Sequence, residues 1–221
     1  MKKVLVLRPE PGASATASQA LKLGLDAIAV PLFEIEPIEW RLPDQGGLDG
    51  LLLTSANAIR FGGAAMGALR GLEVYAVGDA TADAARGAGF TVAATGDSGV
   101  DGLLKSIDPK LRLLHPCGAD RREPHGQTPE ITPLIVYRSR EIDAPDLAGI
   151  DGSIALIHSP RAGRRFADLV DSRDSIAIAA ISDAAAEAAG TGWKSVNVAE
   201  RPNDDALLAL AARLCNKPDP E

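Results

Sequence analysis

Aromatic side chains are scarce in this 221-residue chain: four Phe, two Trp and two Tyr amount to 4% of it. Its cores must be built from Leu, Ile, Val and a large stock of Ala, which favours helices lying close on sheets. Cysteine is rare as well. Cys117 and Cys215 stand far apart in no CxxC pattern, so neither a disulfide framework nor a zinc site is indicated. His115 lies two residues from Cys117, but third and fourth metal ligands are missing. No apolar run approaches the ~20 residues of a membrane span. Met1-Lys2-Lys3 is followed by only four apolar residues before Arg8, too few for a signal sequence, and a cytoplasmic protein is expected. Positive charge is in the minority, 23 Lys and Arg against 30 Asp and Glu, for a net charge of -7. A nucleic-acid partner would need clustered cations and is not expected. Neither GxGxxG nor GxxxxGK[ST] occurs, which leaves a nucleotide-dependent oxidoreductase without its fingerprint.

What the chain does contain is a repeat. Val74-Tyr75-Ala76-Val77-Gly78-Asp79-Ala80-Thr81-Ala82 reads as a buried strand, a tight turn and an alanine-rich helix with Asp79 as its N-cap. Ile178-Ala179-Ala180-Ile181-Ser182-Asp183-Ala184 says the same thing 104 positions later. Leu53-Thr54-Ser55 matches Ile157-His158-Ser159 at that offset, Pro31-Leu32 matches Pro133-Leu134 at 102, and Arg8-Pro9 matches His115-Pro116 at 107. A period this long is an internal duplication rather than a solenoid. It predicts two similar units of roughly 100 residues each, with a cleft between them.

In chain order, Val4-Leu5-Val6-Leu7 is an unbroken apolar run of the kind a parallel sheet covers on both faces. A helix follows with Ala13, Ala17, Ala20 and Leu21 on one face, ended by Gly24. Residues 31–42 and 132–142 break the βα rhythm and are expected to be extended, to pair, and to form a two-stranded hinge. Elsewhere strands and helices alternate, which predicts two doubly wound parallel α/β domains. Ser159 followed by Pro160 is an N-cap with proline in the first helical position.

Ligands of open parallel sheets bind beyond the carboxyl ends of the strands, at helix N-termini. The loops there hold Arg8, Thr54, Ser55, Gly78, Asp79, Ala80, Thr81, Arg121, Ser159 and Ser182. Hydroxyls, arginines and helix-end amides together describe an anion site. Each Ser, Thr or Asp is also accounted for singly as a helix cap. The stripe Arg161, Arg164 and Arg165 is equally consistent with a solvated basic face. Tyr137, one of only two tyrosines, lies in the expected hinge.

Pro9-Glu10-Pro11-Gly12, Leu53-Thr54-Ser55-Ala56, Val77-Gly78-Asp79-Ala80-Thr81-Ala82, Cys117-Gly118-Ala119-Asp120-Arg121-Arg122, Val136-Tyr137-Arg138 and His158-Ser159-Pro160 resemble, in that order, the uroporphyrinogen-III synthase family. The resemblance implies a discontinuous first domain of residues 1–33 with 142–221, a second of residues 34–141, and an active site in the cleft between them. It implies closure of hydroxymethylbilane, a linear tetrapyrrole bearing eight carboxylates, to uroporphyrinogen III with loss of water and inversion of the last pyrrole ring. No cofactor and no metal are implied, and the chain would be a monomer making at most transient contact with the preceding pathway enzyme. Tyr137 matches the family's candidate proton donor, and the hydroxyl and arginine loops match its carboxylate-binding turns. The chain departs from the family at Asp183-Ala184-Ala185, which lacks the hydroxyl that Thr81 supplies in the first copy. The residues alone leave open a non-catalytic two-domain module that binds tetrapyrroles or other anions.

Overall fold

The computed structural model describes residues 2–96, 99–120 and 129–216. In chain order these form β1 (Lys3–Val6), α1 (Gly12–Lys22), β2 (Asp26–Ala29), β3 (Phe33–Pro37), β4 (Gly50–Leu53), α2 (Asn57–Phe61), a 3-10 helix (Ala64–Leu69), β5 (Glu73–Val77) and α3 (Asp79–Gly87). Then come β6 (Val92–Gly96), α4 (Val100–Ser106), β7 (Arg112–Gly118), β8 (Glu130–Glu141), β9 (Ile154–Ile157), α5 (Pro160–Leu169), β10 (Ala177–Ala180), α6 (Asp183–Ala189), β11 (Ser195–Val198) and α7 (Asp204–Asn216). The chain divides into two compact units, Met1–Glu34 with Glu141–Glu221, and Ile35–Arg140.

Unit 1 is a five-stranded parallel sheet in the order β11-β10-β9-β1-β2. Its central strands carry apolar residues at every position because both faces are covered. On β1, Leu5 belongs to one core while Val4 and Val6 belong to the other, and β9 divides Ala155 and Ile157 from Ile154 and Leu156 in the same way. Burying each large aliphatic side chain contributes about 1.5–3 kcal/mol. The helices come close through small residues: Ala13, Ala17 and Ala20 of α1 are buried. Leu21, expected on that face, is instead 57% exposed, since three alanines already span the contact. Two of the scarce aromatics meet here, with Phe166 stacked on Trp193 at 5.2 Å between ring centroids and the Arg173 guanidinium 5.1 Å from the Trp193 ring.

Unit 2 is a six-stranded sheet, β3-β8-β7-β4-β5-β6. Leu51 and Leu53 of β4 face one core and Leu52 the other. β3 lies beside β8, and just beyond it the Ile38 amide donates to the Val136 carbonyl at 3.0 Å. Glu36 of β3 receives both Arg138 and Arg140 of β8, at 2.9 and 2.7 Å.

The strand orders show the duplication directly. Shifting β6, β5 and β4 forward by the sequence offset, and β7 and β8 back by it, turns β6-β5-β4-β7-β8 into β11-β10-β9-β1-β2, the order found in unit 1. In both sheets the connections reverse direction between two neighbouring strands, β4 and β7 in unit 2 and β9 and β1 in unit 1. Such switch points are where open α/β sheets receive ligands.

Candidate functional site

At the switch point of unit 2 lies a cavity of about 290 Å³, lined by Thr54 after β4, Val77 at the end of β5, Val100 at the start of α4, Cys117 and Gly118 on β7, Asp120 and Tyr137. Ligand pockets run from about 300 Å³ upward. The cavity therefore suits one substituted ring of a larger molecule.

Tyr137 reaches it because of Gly118. The two residues are paired across β7 and β8 beside an irregularity in register. A Cβ on Gly118 would meet ring carbons of Tyr137 at 2.6 and 2.8 Å and its hydroxyl at 3.1 Å. Only a residue without a side chain lets the phenol lie across β7. Burial raises the Tyr137 pKa above its ordinary value, while hydrogen bonds from the Ser55 side chain and the Gly118 backbone act in the opposite direction. Burial prevails, so the phenol is protonated at neutral pH. Ser55 Oγ accepts the Asn57 amide at 3.2 Å, which leaves the Ser55 proton to be given to the tyrosine oxygen. A phenol whose oxygen already receives donors can point its own proton outward, and its phenolate is stabilised in advance.

Thr54 Oγ1 lies 3.0 Å from Nε2 of His115, a buried residue two positions before Cys117 on β7. The sequence offered His115 only as an incomplete metal ligand; its contact with Thr54 joins residues 61 apart, and no local spacing announces it. Between β5 and α3 the chain turns at Gly78 with φ +79°, and Gly78, not Asp79, is the N-cap. The turn demands a left-handed backbone that glycine supplies, so the helix starts at Asp79, one residue earlier than its sequence implies. The first-turn amides of Asp79 and Ala80 have no partner within the helix. Thr81 is 5% exposed, and its amide donates to the Gly78 carbonyl at 3.1 Å. Arg121 lies outside the described residues.

The remaining predicted residues belong to unit 1. Ser159 caps α5 by accepting the Ala162 amide at 3.2 Å, and Ser182 caps α6 by accepting the Ala185 amide at 3.4 Å. Arg8 is in an ion pair with Asp204 at 2.7 Å. Beside this pair lies His158, whose pKa is pushed down to about 4 by burial and by the neighbouring Arg8 charge. Arg161 and Arg165 of the basic stripe hold structure together. Arg161 lies over the Phe33 ring at 4.5 Å, while Arg165 contacts Glu141 at 3.4 Å and donates to the Ile142 carbonyl at 2.9 Å.

Two mostly parallel α/β units that share a strand order, with polar side chains gathered at each switch point, define a duplicated α/β protein. Among solved structures, the chain is similar to the uroporphyrinogen-III synthetase of Helicobacter pylori, with a TM-score of 0.65 at 17% identity over 96% of this chain and 99% of that one. It is also similar to a mutant uroporphyrinogen III synthase of the extremely thermophilic bacterium Thermus thermophilus, with a TM-score of 0.51 at 18% identity over 98% of this chain and 100% of that one. At such identities the likeness concerns the fold. No curated protein matches the sequence. The family model described as uroporphyrinogen-III synthase HemD matches residues 14–209. The chain belongs to the uroporphyrinogen-III synthase family, enzymes that act as cyclising lyases in tetrapyrrole biosynthesis.

Proposed function

We propose that the chain closes hydroxymethylbilane to uroporphyrinogen III and that Tyr137 is the proton donor to the departing hydroxyl. The observation that carries this reading is the Tyr137 phenol, protonated at neutral pH, hydrogen-bonded by Ser55 and Gly118 and lining the unit 2 cavity.

The terminal hydroxymethyl group leaves as water when its oxygen takes the Tyr137 proton. The C–O bond breaks and an electrophilic azafulvene remains. In water this species closes through its free end to give the uninverted isomer I. Isomer III requires attack by the substituted carbon of the last ring, which forms a spiro centre. The bond from that centre to the methylene carbon of the preceding ring then breaks, and that carbon is captured by the free α-carbon of the last ring, leaving the ring inverted. The proton lost on rearomatisation restores the phenol, so the step balances without a co-reactant. The protein's chief task is to hold the last ring in the attacking orientation, and the rate follows from that positioning. Thr54 and Ser55, with the first-turn amides of Asp79 and Ala80, serve as donors to substrate carboxylates. Arg8, Gly78, Thr81, Arg121, Ser159 and Ser182 complete the proposed set. The reading includes a monomeric cytoplasmic enzyme that needs no cofactor and touches the preceding pathway enzyme at most transiently.

The test is to supply freshly generated hydroxymethylbilane to the purified protein and to separate the oxidised porphyrin isomers against a protein-free control. Isomer III is the expected product. Isomer I alone, from folded protein, would overturn the reading.

A further inference from the structure

The switch point of unit 1 is occupied by the chain's own carboxylate. Asp204 opens α7, at the position that Val100 holds in α4 104 residues earlier. One of its oxygens, Oδ2, accepts both Arg8 Nη1 at 2.7 Å and Thr16 Oγ1 at 2.8 Å. The other, Oδ1, lies 3.6 Å from Nε2 of His158, beyond a hydrogen bond. The His158 side chain is 8% exposed, and among the described residues neither of its ring nitrogens has a hydrogen-bond partner. The Leu156 carbonyl draws the ring toward its charged form without completing a bond. A buried donor left unmade in this way is costly, and it faces a carboxylate placed too far off to satisfy it.

Asp204 is also dispensable to its own helix. Asn203 Oδ1 accepts the Ala206 amide at 2.9 Å, supplying the cap, and Asp205 receives Gln19 at 2.7 Å. Both partners of the Arg8–Asp204 pair are about a third exposed, at 35% and 32%, so the contact is open to water and exchanges at little cost.

We propose that Arg8, Thr16 and His158 form a carboxylate-binding subsite in which Asp204 is a displaceable stand-in, and that a carboxylate arm of the tetrapyrrole substrate takes its place. The arm engages Arg8 and Thr16 through one oxygen and accepts the His158 N–H with the other, which Asp204, tethered to α7, does not reach. The substrate assignment rests on the proposed function, whereas the exchange itself rests on the geometry of unit 1. Asp204 in this view sets the affinity of the subsite: it keeps Arg8 oriented and neutralised until a better-placed carboxylate arrives.

The experiment compares Asp204→Asn, Arg8→Gln and the double variant in the full chain, with circular dichroism to establish folding. Losing the competing carboxylate is expected to lower KM for hydroxymethylbilane about fivefold, and losing Arg8 to raise it about tenfold. The double variant is expected to match Arg8→Gln, because removing the stand-in gains nothing once its partner is gone. A folded Asp204→Asn protein whose KM rises as far as that of Arg8→Gln would show Asp204 to be a fixed support and would overturn the proposal, as would additive effects in the double variant. A second readout does not involve turnover. The Arg8 Nε–H resonance is followed as sodium propionate is added, and it should move at lower concentration in Asp204→Asn than in the unaltered protein. An unresponsive Arg8 resonance sinks the exchange proposal even if isomer III is made. A responsive one sustains it even if isomer III is not made, in which case the functional reading alone fails.

Discussion

Thr54, His115 and Val100 in unit 2 occupy the places that His158, Arg8 and Asp204 occupy in unit 1, at offsets of 104, 107 and 104 residues. One scaffold has been put to two uses. In unit 2 Thr54 meets His115 at 3.0 Å, and Val100 and Tyr137 line a cavity of about 290 Å³. In unit 1 the same positions carry an ion pair and a buried neutral histidine. The elements that make the fold were retained, since both copies keep the strand order, and α2 follows β4 as α5 follows β9. The difference teaches that a duplicated α/β fold constrains where chemistry can occur and leaves its kind open.

The contrast can be broken hardest at Tyr137, which has no phenol counterpart in the strand order of unit 1. Tyr137→Phe is expected to lower kcat by about a hundredfold without abolishing isomer III, since general acid assistance is worth at least about that much and positioning survives. A folded variant with no activity at all would show that the phenol does more than donate. In the unaltered enzyme, the raised pKa predicts that any alkaline loss of kcat caused by Tyr137 ionisation sets in at higher pH than an ordinary tyrosine would give, and Tyr137→Phe should lack it.

Making unit 2 resemble unit 1 is the next test. Val100→Asp would put a carboxylate on the rim of the cavity, where it repels the substrate's carboxylates. A KM increase of about tenfold is expected, corresponding to about 1.4 kcal/mol. Steady-state kinetics at two ionic strengths would check it, because an electrostatic penalty shrinks as salt rises. No change in KM would mean that carboxylates do not approach this face.

His158 sharpens the comparison through pH. Its pKa is about 6.5 in the unfolded chain and about 4 in the folded protein, so between these values the unfolded state binds more protons. The neutral ring's contribution to stability is complete above about pH 6.5 and is lost as pH falls through 4, by roughly 3 kcal/mol in all. Urea unfolding of His158→Gln across that range should give a flatter profile than the unaltered protein. Equal slopes would contradict a buried neutral histidine.

The smallest effects concern what the copies share. Ser159→Ala and Ser182→Ala should each cost about 1 kcal/mol through loss of an N-cap and lower Tm by about 2–4 °C. Thermal unfolding would check this. If either also raises KM for hydroxymethylbilane, the hydroxyl both caps its helix and binds substrate.

Much of the fold could be read before the structure. Val4-Leu5-Val6-Leu7 and Ile154-Ala155-Leu156-Ile157 carry no alternation because both faces of the sheet are buried, and Ser159-Pro160 marks the start of α5 by a strictly local signal. Elements whose limits depend on distant partners were less legible. β8 runs twelve residues, from Glu130, because β7 and β3 lie on either side of it, and β6 begins only at Val92 while the nearby Phe90 joins the core. The 3-10 helix Ala64–Leu69 lacks the apolar period that would have announced it. At the site, Tyr137 and the hydroxyl loops were readable as residue types at strand ends. His115 beside Thr54, and Asp204 beside Arg8 at a separation of 196 residues, were not, because tertiary folding alone brings them together.

The discontinuous first unit has a consequence for how the chain is made. β1 is a central strand, and its neighbour β9 begins at Ile154, paired with Val4 across 150 residues. During synthesis, every residue of Ile35–Arg140 emerges before β9 exists. Unit 2 can therefore complete its folding while β1, with four consecutive buried apolar residues, still waits beside an unfilled place. The long loop that must close makes this the slow step. A nascent chain whose Arg140 has just left the ribosome would carry a complete second unit and a sticky N-terminal strand, and that strand is where a chaperone would be needed most.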